Sequence, residues 1–400
     1  MKLNNLIINT ETAISIYYNE LVYAMKKFKR DVITLSLGES FFSIPNFGFE
    51  KIDFDNGYHY SSSRGIVELR KKISQMYLKE YKAKISSDNI IISSGSKIIF
   101  FMCFKCLLNK NDDVLLQEPA WISYTEQIKL VGANPVIVPR NKNLKEYITS
   151  KTKIIVICNP NNPSGKNFTK NELTKIYREC KKKDITLIVD EAYSAFTPKK
   201  FFSSIRLDKK LKNIIIINSL SKNMGMSGWR IGYLISNQNF LENFLKINQH
   251  LITCAPTVLQ KYISYHFEKI LSFTTPQIKK LLILRKNIKK VLIDLELKYL
   301  EGDSTFYFFI NLSEYKYDMH SLALTLLLEH GISLVPGRQY GVNTEKFLRL
   351  SIGTESEERI IFALKVLKSY IRKKPLSKTI IKKKLSEFNL KYLEEANKTN

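Results

Sequence analysis

The feature that most constrains this chain is an alternation, from about Asp88 to Ser236, of short apolar runs with helical patterns. Asn89–Ser93, Asp113–Gln117, Pro135–Val138, Lys153–Cys158, Thr186–Val189 and Asn213–Ile217 read as strands rich in Ile and Val. Ser96–Leu108 and Lys170–Lys183 read as helices between them. Apolar runs without polar alternation must be buried on both faces, and strands joined by crossover helices run parallel. The expected class is therefore α/β, with a mostly parallel sheet covered by helices.

Beyond that region, Leu241–Phe273 and Pro276–Leu297 read as helices, the second long and leading out of the core. Residues from about Leu300 to Tyr370 form a second unit, with strands near Phe306–Ile310, Ile332–Val335 and Phe347–Ile352. Four hundred residues suit one large core plus a smaller attachment. The expected division is an N-terminal segment 1–48 joining the small domain, a large domain 49–285, a small α+β C-terminal domain 286–372 and a lysine-rich tail 373–400. No run of about 18 apolar residues predicts a membrane span. The first twenty residues, broken by Asn4, Asn5, Asn9 and Glu11, lack the apolar centre of a secretory signal. A cytoplasmic protein is expected.

The five cysteines are odd in number and scattered, which argues against a disulfide framework. Cys103 and Cys106 form a lone C-x-x-C in an apolar stretch and read as helix cysteines rather than metal ligands. The formal charge of +26 raises nucleic acid as a partner. However, the lysines are spread along the chain and accompany equally heavy use of Ile, Asn, Phe and Tyr, as a general coding bias would produce. Nucleic acid is accordingly not an expected partner.

Ligands of open α/β sheets bind at the carboxyl edge of the strands. Four of the expected strands end in polar residues. Asn89–Ser93 runs into Ser94-Gly95-Ser96-Lys97, and Lys153–Cys158 into Asn159-Pro160-Asn161-Asn162-Pro163-Ser164-Gly165. Thr186–Val189 delivers Asp190-Glu191-Ala192-Tyr193, and Asn213–Ile217 delivers Asn218-Ser219-Leu220-Ser221-Lys222. Four such endings in succession point to one shared pocket.

Ser219-x-Ser221-Lys222 followed by Gly228-Trp229-Arg230-Ile231-Gly232 resembles the cofactor-lysine signature of class I/II aminotransferases, pyridoxal 5'-phosphate enzymes of fold type I. Further landmarks fall in family order from about Leu37 to Gly353. The resemblance implies that Lys222 holds the cofactor as a Schiff base and moves the substrate proton, a task that needs an amine of lowered pKa. It implies Asp190 on the pyridine nitrogen, and Asn162 with Tyr193 on the phenolic oxygen. Ser94, Gly95 and Ser96 at a helix start, with Ser219 and Arg230, would hold the phosphate. Lys97 falls in the same motif without a settled direction.

Trp121, in Glu118-Pro119-Ala120-Trp121-x-x-Tyr124, matches the aromatic that stacks on the ring. Tyr60 matches a tyrosine that a neighbouring subunit lends to the phosphate, which implies a homodimer. Arg349, in Leu348-Arg349-Leu350-Ser351, matches the carboxylate-binding arginine, whose planar fork lysine cannot replace. Gly38 matches a glycine whose backbone meets the same carboxylate. An arginine in an apolar strand needs an anion, so a structural salt bridge competes with this account.

The expected activity is ping-pong exchange of an amino group between an amino acid and a 2-oxo acid. A fold type I carbon–sulfur lyase would use the same cofactor residues. A cofactor-sensing regulator would need an upstream DNA-binding domain, and the 37 residues before Gly38 leave no room for one. Phe41 and Phe42, after Gly38, lie where a preference for apolar or aromatic substrates could arise. The donor, the acceptor and the pathway stay open.

Overall fold

A computed structural model of the chain describes residues 1–394; the last six positions of the expected tail, 395–400, lie outside the described residues. The strands in chain order are β1 Ile33–Thr34, β2 Ile90–Ser93, β3 Asp113–Gln117, β4 Asn134–Val138, β5 Thr152–Cys158, β6 Thr186–Asp190 and β7 Ile214–Ser219. They continue with β8 Gly232–Ile235, β9 Tyr307–Asn311, β10 Ile332–Ser333, β11 Val335–Pro336 and β12 Phe347–Ser351. The fold is α/β, as expected.

The seven-stranded sheet has the order β2-β8-β7-β6-β5-β3-β4. The run Ile214-Ile215-Ile216-Ile217 in β7 is no more than 2% exposed along its length. Each isoleucine so buried contributes about 1.5–3 kcal/mol, which is why such a run settles in the middle of a covered sheet. Helix Lys170–Lys182 covers the sheet and starts at a capping box, with Thr169 and Glu172 each accepting from the other's backbone N–H. Strand β8, which the apolar pattern did not single out, runs antiparallel to both neighbours. Four residues opening on glycine give too short a periodic signal, and its direction follows from the chain returning to the sheet without a crossover helix.

A three-stranded antiparallel sheet, β11-β12-β9, forms the second unit. The expected strand Ile332–Val335 is two short strands. Residues Ile332–Ser333 pair in parallel with β1, and Val335–Pro336 pair with β12, so the chain changes partner at Leu334. The β1 pairing carries the N-terminal segment onto the second unit, where Ser351 N–H donates to Leu35 O at 2.8 Å. Gly38 is thereby brought beside Arg349.

The two expected helices after the sheet are cut at a different place. One spans Gln238–Leu251, and the next runs unbroken for 38 residues, Thr257–Asp294, through Pro276. The interruption falls instead at Thr253, in the left-handed region, and Pro256, the residue before the helix. An internal proline costs about 3 kcal/mol. Burial of Ile263, Phe267, Ile270, Ile278, Ile288 and Leu292 along this helix outweighs that cost. In the tail, helix Lys378–Ser386 buries Ile381 and Leu385 in the core of the second unit. Cys103 is buried in helix Ser96–Leu107 and Cys106 is partly buried, both as free thiols.

Candidate active site

Register sets the geometry. Cys158 of β5 lies opposite Asp190 of β6, and Asp190 opposite Ile217 of β7. On the other side Ser219, Gly232 and Ser93 are successive cross-strand partners through antiparallel β8. The ends of β5, β6 and β7, the start of β8 and the end of β2 therefore meet along one edge.

Ser219 caps the short helix Leu220–Asn223, its hydroxyl accepting from Ser221 N–H at 3.1 Å and donating to Ser221 Oγ at 2.8 Å. That turn aims Lys222 across the edge, where Nζ donates to Gly38 O. Burial, opposed by Glu39 and reinforced by Arg349 and Arg230, lowers this amine from 10.5 to about 8. In the cofactor-free chain at pH 8, about half of Lys222 is then unprotonated, against about 0.4% of an exposed lysine. Brief reductive methylation at pH 8 with peptide mapping is expected to label Lys222 ahead of the surface lysines. Uniform labelling would contradict this environment.

Asp190 is buried, with one oxygen accepting from the Tyr124 hydroxyl at 2.6 Å and the other from Ala192 N–H at 3.1 Å. Burial raises its pKa, while Tyr124, Ala192 and Lys222 oppose the rise. Tyr124 was quoted in the sequence only as part of a motif. Its hydroxyl is the chief side-chain donor to Asp190, a contact only the packing of helix Ile122–Leu130 on the sheet creates.

Asn162 Nδ2 donates to the Tyr193 hydroxyl at 3.4 Å, and Asn162 Oδ1 is buried with no partner among the described residues. The turn is held from behind. Asn161 Oδ1 accepts from Ser164 N–H and Oγ, and Gly165 lies against Arg285 and Ser304 O. Arg285, buried on the long helix, donates to the carbonyls of Tyr307 and Gly302, bracing the turn against the second unit.

Helix Ser96–Leu107 begins after Gly95, which has φ +92°, and no side chain among the described residues caps it. Its first N–H groups are thus left for an anion. Ser94 adjoins the same turn at the end of β2, and Arg230 lies over Gly95 so closely that a Cβ there would collide with the guanidinium. A Cβ on Gly232 would meet Ser96 N at 2.5 Å and Gly95 C at 2.6 Å, both backbone. Gly232→Ala is therefore expected to weaken, about tenfold or about 1.4 kcal/mol, binding of the phosphorylated cofactor that the sequence resemblance implies. Fluorescence titration of the cofactor-free protein checks this, and unchanged affinity would show that the edge is slack.

Arg349, on β12, is 3% exposed and lies among Tyr307, Tyr340 and Ser36, whose carbonyl accepts from Nη2 at 2.6 Å. Nε has no partner, and among the described residues no carboxylate pairs with this arginine. The salt-bridge account thus has no acid to stand on. Both terminal nitrogens lie 3.9 Å from the point where a Cβ on Gly38 would sit.

Trp121 precedes helix Ile122–Leu130 with its ring 5.1 Å from Tyr124, and the exposed Lys97 leans on it, Nζ 5.4 Å from the Trp121 ring centroid. Desolvation and then Arg230 lower the Lys97 pKa. Phe42 stacks at 6.4 Å on Phe196 while Phe41 is exposed. Tyr60 is 84% exposed. Its neighbours are fastened to the long helix, Thr257 donating to His59 O and Gln260 to Ser61 Oγ. The described residues thus bring together every candidate except Tyr60.

An unpartnered Asn162 oxygen, an uncapped helix start beneath Arg230 and an acid-free Arg349 together fit a planar phosphorylated aldehyde with a carboxylate substrate beside it. The profile described as "Aminotransferase class I and II" matches residues 31–364. A (5-formylfuran-3-yl)methyl phosphate transaminase of Methanocaldococcus jannaschii is 34% identical over 355 residues, covering 86% of this chain and 92% of that one. An aspartate aminotransferase of Bacillus subtilis is 30% identical over 372 residues, 87% of this chain and 93% of its own. The crystal structure of aspartate aminotransferase from Thermotoga maritima superposes with a TM-score of 0.83 at 29% identity, covering 92% of this chain and all of that one.

Proposed function

This chain belongs to the class I and II aminotransferases, pyridoxal-phosphate enzymes that pass an amino group between an amino acid and a 2-oxo acid, and on that premise we propose that Lys222 is the amine that carries the cofactor and moves the proton. The cofactor, once bound, supplies an aldehyde carbon for that amine and a ring that takes up the electron pair left at the substrate Cα. The desolvated Lys222 amine, with a pKa near 8, can accept that proton close to neutral pH. Asp190, steadied by Tyr124, would keep the ring nitrogen protonated. Asn162 and Tyr193 would donate to the phenolic oxygen, and Trp121 would cover the ring.

Ser94, Gly95, Ser96, Ser219 and Arg230 would hold the phosphate, and Arg349 with the Gly38 backbone the α-carboxylate. The exposed Tyr60 would serve the site of a second copy, making the working unit a homodimer. Lys97 beside Trp121 adds a cation at the rim and supports substrates with a second anionic group. The division at 48, 285 and 372 belongs to this reading, supported by a seven-stranded sheet within 90–235 and a three-stranded one within 307–351. So does a cytoplasmic setting; among the described residues no helix is long and apolar enough to cross a membrane.

The observation that carries the reading is Arg349, paired with no carboxylate among the described residues, beside Gly38, whose carbonyl receives Lys222. Borohydride reduction with bound cofactor, followed by peptide mapping, is expected to tag Lys222. A tag on any other lysine would overturn the assignment. Amino acids are expected to bleach the yellow colour and 2-oxo acids to restore it; release of ammonia and pyruvate instead would indicate a lyase.

A further inference from the structure

Tyr307 is a buried polar residue that none of the roles above employs. It sits on β9 with its hydroxyl 2.9 Å from that of Tyr193 and its ring centroid 4.9 Å from Arg349 Cζ. The same hydroxyl is 3.0 Å from the point a Cβ on Gly38 would occupy. One oxygen atom therefore borders both halves of the pocket, the Asn162–Tyr193 pair and the Arg349–Gly38 pair.

The direction of its hydrogen bond follows from counting protons. A tyrosine hydroxyl has one proton to give and two positions at which to accept. Asn162 Nδ2 fills one acceptor position on Tyr193. If the Tyr193 proton goes to the phenolic oxygen of the cofactor, Tyr307 cannot accept it and must be the donor in their contact.

We infer that Tyr307 is a positioning residue: its hydroxyl donates to Tyr193, fixes the direction of the Tyr193 proton, and relays the arrival of a carboxylate at Arg349 to the cofactor's phenolic oxygen. This rests on the assignments of Tyr193 and Arg349 proposed above. The route is electrostatic. The guanidinium over the Tyr307 ring makes its O–H the better donor. A carboxylate seated on Arg349 cancels that field and offers Tyr307 a second acceptor beside Gly38. Donation to Tyr193 then weakens, and so does donation from Tyr193 to the phenolic oxygen. Less satisfied by the protein, that oxygen holds the proton on the neighbouring nitrogen more firmly. The other titratable groups facing this pair are Asp190, Cys158, Lys222, Arg349 and Tyr340.

The test is the pH midpoint of the bound cofactor's colour change, without and with saturating maleate as an unreactive carboxylate, in the holoenzyme. Maleate is expected to raise the wild-type midpoint by about half a unit or more, the size of a modest charge effect. Tyr307→Phe keeps the ring and removes one oxygen; its maleate-induced shift is expected to fall below half the wild-type value. In a Tyr193→Phe background the same substitution is expected to change nothing further, because its effect passes through Tyr193. Tyr307→His, which restores a donor, is expected to recover part of the shift. The inference is overturned by a wild type that maleate does not shift, a Tyr307→Phe protein with the full shift, an undiminished effect in the double variant, or a histidine variant no different from phenylalanine. Borohydride tagging of Lys222 separates these failures from failure of the site itself.

Discussion

Replacing Lys222 with alanine is expected to slow amino-group transfer by about 10⁴-fold or more. On the proposed assignment two duties are lost at once: the covalent hold on the cofactor and the base that moves the Cα proton. The protein should still fold, because the amine is half-buried against Gly38 and its removal relieves the cost of desolvating a charge. It should also still bind cofactor through the helix start and Arg230. Single-turnover mixing with an amino acid measures the half-reaction, and methylamine added at tens of millimolar should restore part of the rate by standing in for the missing base. A Lys222→Ala protein that completed the half-reaction at the wild-type rate would end the mechanism proposed here.

The second large effect is expected at Arg349. Lysine in its place keeps the charge but offers one point of contact where the guanidinium offers two parallel donors. Loss of one charged hydrogen bond, about 2–3 kcal/mol, predicts an amino-acid KM about 30- to 150-fold higher, with kcat changed much less. The split matters, since a substitution that merely loosened the fold would lower both parameters. The site is poorly suited to a lysine in another respect: Ser36 O, which now accepts from Nη2, would compete with substrate for the single ammonium. A KM within threefold of wild type would mean that charge alone holds the carboxylate.

Much of the site is legible in the sequence because its residues stand at the ends of strands. Asp190 and Ser219 close apolar runs, with Asn162 and Lys222 a few residues beyond. Parallel neighbours in register necessarily present such ends together. Lys222 and Asp190 could thus be placed in one pocket without coordinates. Tyr124 and Tyr307 could not. Tyr307 lies within an apolar strand where a tyrosine reads as core, Tyr124 lies on a short helix between Ser123 and Thr125, and each acquires its polar partner only when a helix or a second sheet packs over the edge.

Segments whose form depends on competing partners were equally illegible. Pro276 reads as a helix break, since local chemistry supplies the penalty and only packing supplies the apolar burial that exceeds it. Ile332–Val335 reads as one strand, since nothing local says that two sheets share it. The sequence by itself determined which residues seek the interior and which strand ends carry polar groups, because hydrophobic periodicity and turn chemistry are properties of neighbours along the chain. Only the tertiary structure decided which hydroxyl meets which acceptor, whether Arg349 had an acid of its own, and which way Lys97 points. Those outcomes rest on distances of a few ångströms between segments up to about 300 residues apart, and no local rule spans them.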